Sequence, residues 1–204
     1  MRRDDWTLYL VTDRRLAGAR PLPDLVAAAV RGGVTAVQLR EKECATREFV
    51  ELARALKTLL APLGIPLIVN DRADVALAAC ADGVHVGQSD MPCRDVRRLL
   101  GRSAIIGFSV ENLERAAAAP PEADYLGVSP VFATSTKTGA APEWGLDGLA
   151  ALRRVSHRQL VAIGGIHRGN AARVIGCGAD GIAVVSAICT APDPELAARD
   201  QSRA

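Results

Sequence analysis

Residues 66–90 read PLIVNDRADVALAACADGVHVGQSD and contain the unit from which the rest of the chain is built. Residues 66–69 form a short apolar run typical of a strand, residues 73–80 have alanine-rich helical spacing, and residues 84–86 form a second strand-like run. A strand, a helix and a strand in this order predict a βαβ unit with parallel strands. Polar residues follow each strand, with Asp71 after the first and Asp90 after the second.

The same alternation recurs along the chain and predicts eight strand–helix units. The predicted strands cover residues 8–11, 36–39, 66–69, 84–86, 105–108, 125–128, 160–163 and 181–185, and the predicted helices cover residues 24–30, 46–60, 73–80, 93–100, 111–119, 146–155, 170–175 and 194–199. Apolar strands and alanine-rich helices predict a parallel sheet covered by helices, and eight units predict a closed (β/α)8 TIM barrel. We expect a single α/β domain over residues 1–204, because no linker divides it. An open doubly wound sheet is the alternative, although no GxGxxG follows the first strand.

The composition and the N-terminal segment make a cytoplasmic protein the default expectation. The 204 residues are 49% hydrophobic, enough for a sizeable core, and 25 Lys plus Arg nearly balance 23 Asp plus Glu. This balance argues against a general nucleic-acid or membrane partner. No apolar run has the length of a membrane span, and the N-terminus leads into a strand-like segment rather than a signal-peptide core. The sequence leaves the oligomeric state open, a homo-oligomer included.

The cysteines and histidines form no catalytic or zinc-binding pattern. The five cysteines at positions 44, 80, 93, 177 and 189 are odd in number, include no CxxC pair and have no neighbouring histidine. We interpret them as small apolar residues, with a catalytic role as the less favoured alternative. We interpret His85, which lies inside a predicted strand, as a hydrogen-bonded structural imidazole rather than a metal ligand.

A short pattern recurs where helices lead into strands: Ala81-Asp82, Ala123-Asp124 and Ala179-Asp180 each precede an apolar run. The repetition supports one repeating unit. We interpret it as a local solution of the connection between helix and strand, which marks architecture and not function.

The functional residues of such a barrel lie where the strands end, so the residues after each strand are the candidates. The end of the second strand has polar side chains at every second position, at Gln38, Arg40 and Lys42, and these would share one face. The alternative is a frayed strand end with solvated charges. Asp71 and Asp90 follow adjacent strands, and two carboxylates there suit Mg²⁺. The alternative is that each caps the next helix, which Pro92 can itself open for Asp90.

The later strand ends predict anion binding. Ser109 follows the fifth strand and would cap a helix, bind substrate, or do both. Residues 129–139 form the longest loop, in which hydroxyl side chains surround Lys137, and the alternative there is a mobile polar loop. Gly164-Gly165 follows the seventh strand, and Val185-Ser186 ends the eighth. In barrels of this class these two loops often form a phosphate site.

These motifs together resemble the thiamine phosphate synthase family over residues 8–188. They are residues 9–13 (YLVTD), 38–42 (QLREK), 70–71 (ND), 85–90 (HVGQSD), 130–137 (PVFATSTK) and 162–166 (AIGGI). The resemblance implies a transferase that joins 4-amino-2-methyl-5-(diphosphooxymethyl)pyrimidine to a thiazole phosphate, giving thiamine phosphate and pyrophosphate. Alanine at position 133, where we expect proline in many relatives, removes no functional group.

The resemblance also implies the residue roles. The pyrimidine diphosphate would be held by Gln38, Leu39, Arg40, Glu41, Lys42, Asn70, Ser109 and Lys137. Mg²⁺ would be held by Asp71 and Asp90, and the thiazole phosphate by Thr134, Ser135, Thr136, Gly165, Val185 and Ser186. The implied catalytic residues are Arg40, Lys42, Lys137 and Ser109.

The implied reaction is dissociative: pyrophosphate leaves a ring-stabilised carbocation, which the thiazole nitrogen attacks without a protein nucleophile. A related thiazole tautomerase tends to lack the diphosphate and magnesium residues, which are present here. A non-catalytic phosphometabolite-binding barrel and a sugar-phosphate isomerase are the further alternatives. The first would have lost a metal carboxylate, and the second would need an acid–base pair near the phosphate site.

Overall fold

Eight parallel strands close into a barrel in sequence order, which confirms the predicted (β/α)8 fold and makes the doubly wound alternative wrong. The computed structural model describes residues 5–134 and 142–203. The strands are β1 Leu8–Val11, β2 Ala36–Leu39, β3 Leu67–Asn70, β4 Gly83–Val86, β5 Ile105–Val110, β6 Tyr125–Val128, β7 Gln159–Ile163 and β8 Gly181–Val184. Pairing of β8 with β1 closes the ring. The predicted domain limits stay a prediction, because both chain ends extend beyond the described ranges.

Ten α-helices are present in the described residues. They are α1 Arg14–Ala17, α2 Leu22–Arg31, α3 Thr46–Leu60, α4 Ala73–Ala78, α5 Cys93–Leu100, α6 Leu113–Ala117, α7 Gly145–Val155, α8 Arg168–Gly176, α9 Ser186–Cys189 and α10 Pro194–Ser202. The sequence did not predict α1 and α9, because four residues are too few to show a helical period. Within the described ranges, no helix is long and apolar enough to cross a bilayer.

Side chains alternate along each strand, and this alternation divides the core in two. The outer core lies between the strands and the helices and includes Leu8, Leu10 and Leu39. The inner core fills the barrel itself and includes Trp6, Tyr9 and Tyr125 at its centre. Every polar residue that points inward is therefore surrounded by the barrel wall and needs a hydrogen-bond partner there.

In the recurring Ala-Asp pattern, the aspartate bonds the start of β3, β5 or β7 to the loop that leads into the following strand. Asp82 accepts a hydrogen bond from the Leu67 N–H at 2.9 Å and forms a salt bridge with Lys57 at 2.7 Å. The same arrangement recurs at Asp124, with Ile106 and Arg97, and at Asp180, with Leu160 and Arg153. The interpretation that this pattern marks architecture is confirmed.

A fourth copy of this arrangement lies between β1 and β2 and uses an uncharged side chain. Thr35 Oγ1 accepts from the Leu8 N–H at 3.1 Å, and the Thr35 N–H donates to the Leu8 carbonyl at 2.9 Å. The barrel therefore contains a fourfold repeat of two βα units, which the sequence shows only three times because threonine replaces aspartate.

Candidate active site

A cavity of about 560 Å³ opens at the end of the barrel where the strands finish. It is lined by most of the predicted site residues: Gln38, Arg40, Lys42, Asn70, Asp71, Asp90, Ser109, Thr134, Gly165, Val185 and Ser186. The structure thus brings residues from seven strand ends to one place. Their binding and catalytic roles stay predictions.

The alternation after β2 separates a cavity face from a buried face. Gln38, Arg40 and Lys42 line the cavity together, as predicted, while Leu39 is fully buried in the outer core. Glu41 also turns away from the cavity and pairs with Arg14 at 3.1 Å. Neither side chain therefore lines the cavity, and the substrate-binding roles predicted for Leu39 and Glu41 stay predictions.

Arg40 is held in place rather than frayed. Its N–H donates to Thr12 Oγ1 at 3.1 Å, and its guanidinium lies 3.4 Å from the Asp13 carboxylate. Its side chain is only 18% exposed. The alternative of a frayed strand end is wrong for this residue, because a solvated terminal side chain would have neither partner.

Asp71 and Asp90 both line the cavity, and the charge of Asp90 acts on the Asp71 carboxyl. Burial, followed by the charge of Asp90, raises the pKa of Asp71 to about 6, although Arg40 and Asn70 oppose the shift. Asp71 adopts a left-handed conformation with φ of 61°, which aspartate tolerates better than most residues. The two groups therefore form an electrostatically strained pair when both are ionised.

Neither aspartate caps the helix that follows it. Arg72 precedes α4 and Pro92 precedes α5, and neither helix start has a side-chain cap. Asp90 instead accepts a hydrogen bond from the Gly87 N–H at 2.7 Å, inside its own loop. The capping alternative is wrong for both residues.

A divalent cation fits this pair. Two like charges in a half-buried position are unfavourable alone, and a hard cation between them would remove the repulsion. No group of three or more His, Cys, Asp or Glu side chains suited to a metal occurs in the described part of the chain. Mg²⁺ favours sites in which the protein supplies one or two carboxylates and in which water and phosphate oxygens would complete the coordination.

The cavity floor contains a chain of buried hydrogen bonds. Gln38 Nε2 donates to the Tyr9 hydroxyl at 3.0 Å, and the Tyr9 and Tyr125 hydroxyls lie 3.0 Å apart. His85 Nδ1 lies 2.9 Å from the Tyr125 hydroxyl, and His85 Nε2 lies 2.8 Å from Ser109 Oγ. His85 is hydrogen-bonded through both ring nitrogens, as predicted, but it also lines the cavity, so a purely structural role stays a prediction.

Neither tyrosine of this hydrogen-bond chain was predicted from the sequence as a site residue. Tyr9 and Tyr125 are about 1% exposed, and burial raises the pKa of each phenol well above its usual value, so both are neutral. The available signal was their inward-facing position in two predicted strands. Ser109 lies inside β5 instead of capping a helix, because the Asn112 side chain caps α6.

The loops after β6, β7 and β8 reach the same cavity. Thr134 lines it, whereas Ser135, Thr136 and Lys137 lie outside the described residues, so their roles stay predictions. Gly165 has φ of 63°, and a Cβ there would lie 2.6 Å from the Ala133 carbonyl oxygen. Glycine is therefore required where these two loops meet.

The comparisons with known proteins agree with this arrangement. A family model described as thiamine monophosphate synthase matches residues 8–188. A thiamine-phosphate synthase of Albidiferax ferrireducens is 62% identical over 94% of this chain and 88% of its own length. Another of Syntrophomonas wolfei is 52% identical over 98% of this chain and 96% of its own.

A solved structure extends the likeness to three dimensions. The thiamine phosphate pyrophosphorylase from Pyrococcus furiosus superposes with a TM-score of 0.90 and is 40% identical, covering 98% of this chain and 96% of that one. The match thus spans the barrel and the loops that form the cavity. The chain belongs to the thiamine monophosphate synthase family of enzymes.

Proposed function

We propose that this chain joins 4-amino-2-methyl-5-(diphosphooxymethyl)pyrimidine to a thiazole phosphate in a Mg²⁺-dependent reaction that gives thiamine phosphate and pyrophosphate. The observation that carries the proposal is the meeting of Arg40 and Lys42 with the Asp71–Asp90 pair in one cavity. A bound diphosphate needs positive charges around it. Two carboxylates could hold a metal ion that would supply one of these charges.

The cationic side chains neutralise the leaving group. As the bond between the methylene carbon and the diphosphate oxygen breaks, negative charge grows on the diphosphate. Arg40 and Lys42 stabilise that charge, and we assign Lys137 the same role from the sequence. Bound Mg²⁺ would add a further positive charge beside the diphosphate oxygens. Arg40 is preorganised for this task by its bonds to Thr12 and Asp13.

The remaining residues orient the two substrates. Gln38, Asn70 and Ser109 line the cavity and would hold the pyrimidine diphosphate beside Arg40. The loops with Gly165 and Ser186 would hold the thiazole phosphate, together with residues 134–136. Correct placement of the thiazole nitrogen then converts the second step into an effectively intramolecular attack.

No protein nucleophile is required, and the cavity is consistent with that. None of the five cysteines lines it. His85 does line it, but both of its ring nitrogens already bond to neighbouring side chains. The near-balanced charge further supports a cytoplasmic role with small-molecule substrates and with neither nucleic acid nor membrane as partner.

Asparagine variants of the two carboxylates test the proposal. Asp71→Asn and Asp90→Asn should each lower the rate of Mg²⁺-dependent pyrophosphate release by about 100-fold or more, because each removes one of the two carboxylates that would hold the metal ion. The matched control is Asp74→Asn, which removes an exposed carboxylate that pairs with Arg72 outside the cavity. Its rate should stay within about two-fold. Normal rates in both cavity variants would exclude the metal site.

A further inference from the structure

The buried hydrogen-bond chain under the cavity links two residues that we assign to the same substrate. Gln38 is at one end and Ser109 at the other, with Tyr9, Tyr125 and His85 between them. The proposed reaction gives the three middle residues no task. Buried polar groups cost free energy unless they are bonded, so an inward-facing polar chain across five strands indicates a role beyond packing.

Two glycines show that the space is shaped for this contact. Gly107 on β5 lies opposite both His85 and Tyr125, and a Cβ there would be 2.3 Å from His85 Nδ1. A Cβ on Gly127 of β6 would be 2.8 Å from His85 Cε1. Any side chain at either position would force the imidazole away from the tyrosine. Trp6 packs on Tyr125 from the other side, with ring centroids 4.3 Å apart.

The orientation of the Gln38 amide, with Nε2 toward the Tyr9 hydroxyl, fixes the direction of the hydrogen-bond chain. Gln38 Nε2 donates to Tyr9, whose own proton then has Tyr125 as its acceptor. Tyr125 donates in turn to His85 Nδ1, which places the imidazole proton on Nε2 and directs it to Ser109 Oγ. The opposite direction would leave the buried Tyr9 proton with no acceptor within the network, which is costly.

This direction decides what the two end residues offer to a ligand. Ser109 Oγ accepts from His85, so its own hydroxyl proton remains for the cavity. Gln38 uses its nitrogen on Tyr9, which leaves its carbonyl oxygen as an acceptor. Diphosphate oxygens only accept hydrogen bonds, whereas the amino group of the pyrimidine donates them. The polarity of both ends therefore suits this substrate.

We propose that His85, Tyr125 and Tyr9 are positioning residues that together set Ser109 as a donor and Gln38 as an acceptor toward the pyrimidine diphosphate. The inference rests on the proposed function, because it names residues that act through Ser109 and Gln38 on that substrate. All three residues line the floor of the cavity, and the two tyrosines also belong to the inner core of the barrel.

A double-mutant cycle tests the positioning role. Tyr125→Phe keeps the ring and removes the hydroxyl in the middle of the chain, and kcat/KM for the pyrimidine diphosphate should fall about 10-fold or more. The KM for the thiazole phosphate should change less than about two-fold. In a Ser109→Ala background the same change should cost about three-fold or less, because only the Gln38 end of the hydrogen-bond chain still depends on Tyr125. Equal costs in both backgrounds would overturn the proposal.

A matched control separates this effect from the general loss of a hydroxyl. Thr35→Val removes the side-chain bond to the Leu8 N–H where β1 begins, and neither of these two residues lines the cavity. It should leave both kinetic constants within about two-fold of the wild type. A fall in kcat/KM as large as that of Tyr125→Phe would mean that the rate reports only barrel stability.

Nitrogen NMR of the ¹⁵N-labelled wild-type protein tests the relay without any turnover. The imidazole of His85, identified by the loss of its signals in His85→Gln, should be neutral with its proton on Nε2. A proton on Nδ1, or on both nitrogens, would overturn the proposal. If the tautomer is as expected but the wild type releases no pyrophosphate with both substrates, the proposed function fails and the relay stands.

Discussion

At the scale of single residues, the site brings together opposite charges that are separated in the sequence but close in the folded protein. Arg40 belongs to the segment after β2, and the charge that it opposes comes from Asp71 after β3 and Asp90 in the next loop. The guanidinium lowers the pKa of Asp71, but burial and the neighbouring carboxylate outweigh it. The two carboxylates are therefore strained when both are ionised, as functional sites often are.

This strain predicts a pH dependence of stability. The pKa of Asp71 is about 6 in the folded protein and close to 3.8 when unfolded, so the folded state binds more protons between these values. In the presence of a chelator, the free energy of unfolding should fall as pH rises from 5 to 7. We expect about 1 kcal/mol from this group, after allowance for solvent screening at a half-buried position.

Urea unfolding at pH 5 and pH 7 measures this effect. Asp71→Asn should lose the difference that is due to Asp71, and it should be the more stable protein at pH 7. Asp74→Asn, whose exposed carboxylate pairs with Arg72, serves as the control and should retain the wild-type difference. An identical pH dependence in the wild type and Asp71→Asn would contradict the account.

The cysteines provide a second test at this scale. Burial raises the pKa of Cys93 and of Cys189 to about 11, so both thiols stay protonated and inaccessible at pH 8. Cys80 is exposed. Mass spectrometry after brief iodoacetamide treatment should show modification at Cys80 and little at the two buried sites. Rapid modification of Cys93 in the folded protein would show that the outer core opens.

At the scale of elements, the bonds from Asp82, Asp124, Asp180 and Thr35 to strand N–H groups stabilise the end of the barrel where the strands begin. Asp82 satisfies a strand N–H and a lysine at once, and the strand residue that it bonds, Leu67, is fully buried. A buried N–H without an acceptor is costly. The pattern was visible in the sequence, but its partners were not, because Lys57 and Leu67 lie 25 and 15 residues away.

Removal of one copy should therefore lower stability. Asp82→Ala leaves the Leu67 N–H and the half-buried Lys57 without their partner, and we expect a loss of about 2–3 kcal/mol in the free energy of unfolding. Asp200→Ala is the control, because it removes only a 3.5 Å surface pair with Arg168. Its effect should stay within about 0.5 kcal/mol. Equal losses in the two variants would show that the repeat does not stabilise the barrel.

The helices show how far local sequence decides an element. The bounds of α3 and α5 match the prediction because their apolar spacing is long and regular. The helix predicted over residues 111–119 is shorter, because Asn112 caps it and starts it at Leu113. The four-residue helices α1 and α9 carry no period, so only the folded loop around each of them reveals them.

At the scale of the whole molecule, the closed barrel turns a list of strand ends into one site. The count of eight units was enough to predict that Gln38, Asp71 and Gly165 would share a cavity, because parallel strands finish at one end. The buried relay through Tyr9 and Tyr125 could not be predicted in the same way. Contacts across a barrel depend on strand register, which the hydrophobic pattern alone leaves undefined.

The coupling of pyrophosphate loss to attack by the thiazole phosphate is the step that we propose for this cavity. Its most direct test follows pyrophosphate and thiamine phosphate together in purified protein, with each substrate and Mg²⁺ omitted in turn. The account predicts that both products form in equal amounts and only when all three components are present. Saturable binding of thiazole phosphate without any pyrophosphate release would contradict it and favour a tautomerase or a non-catalytic binding protein.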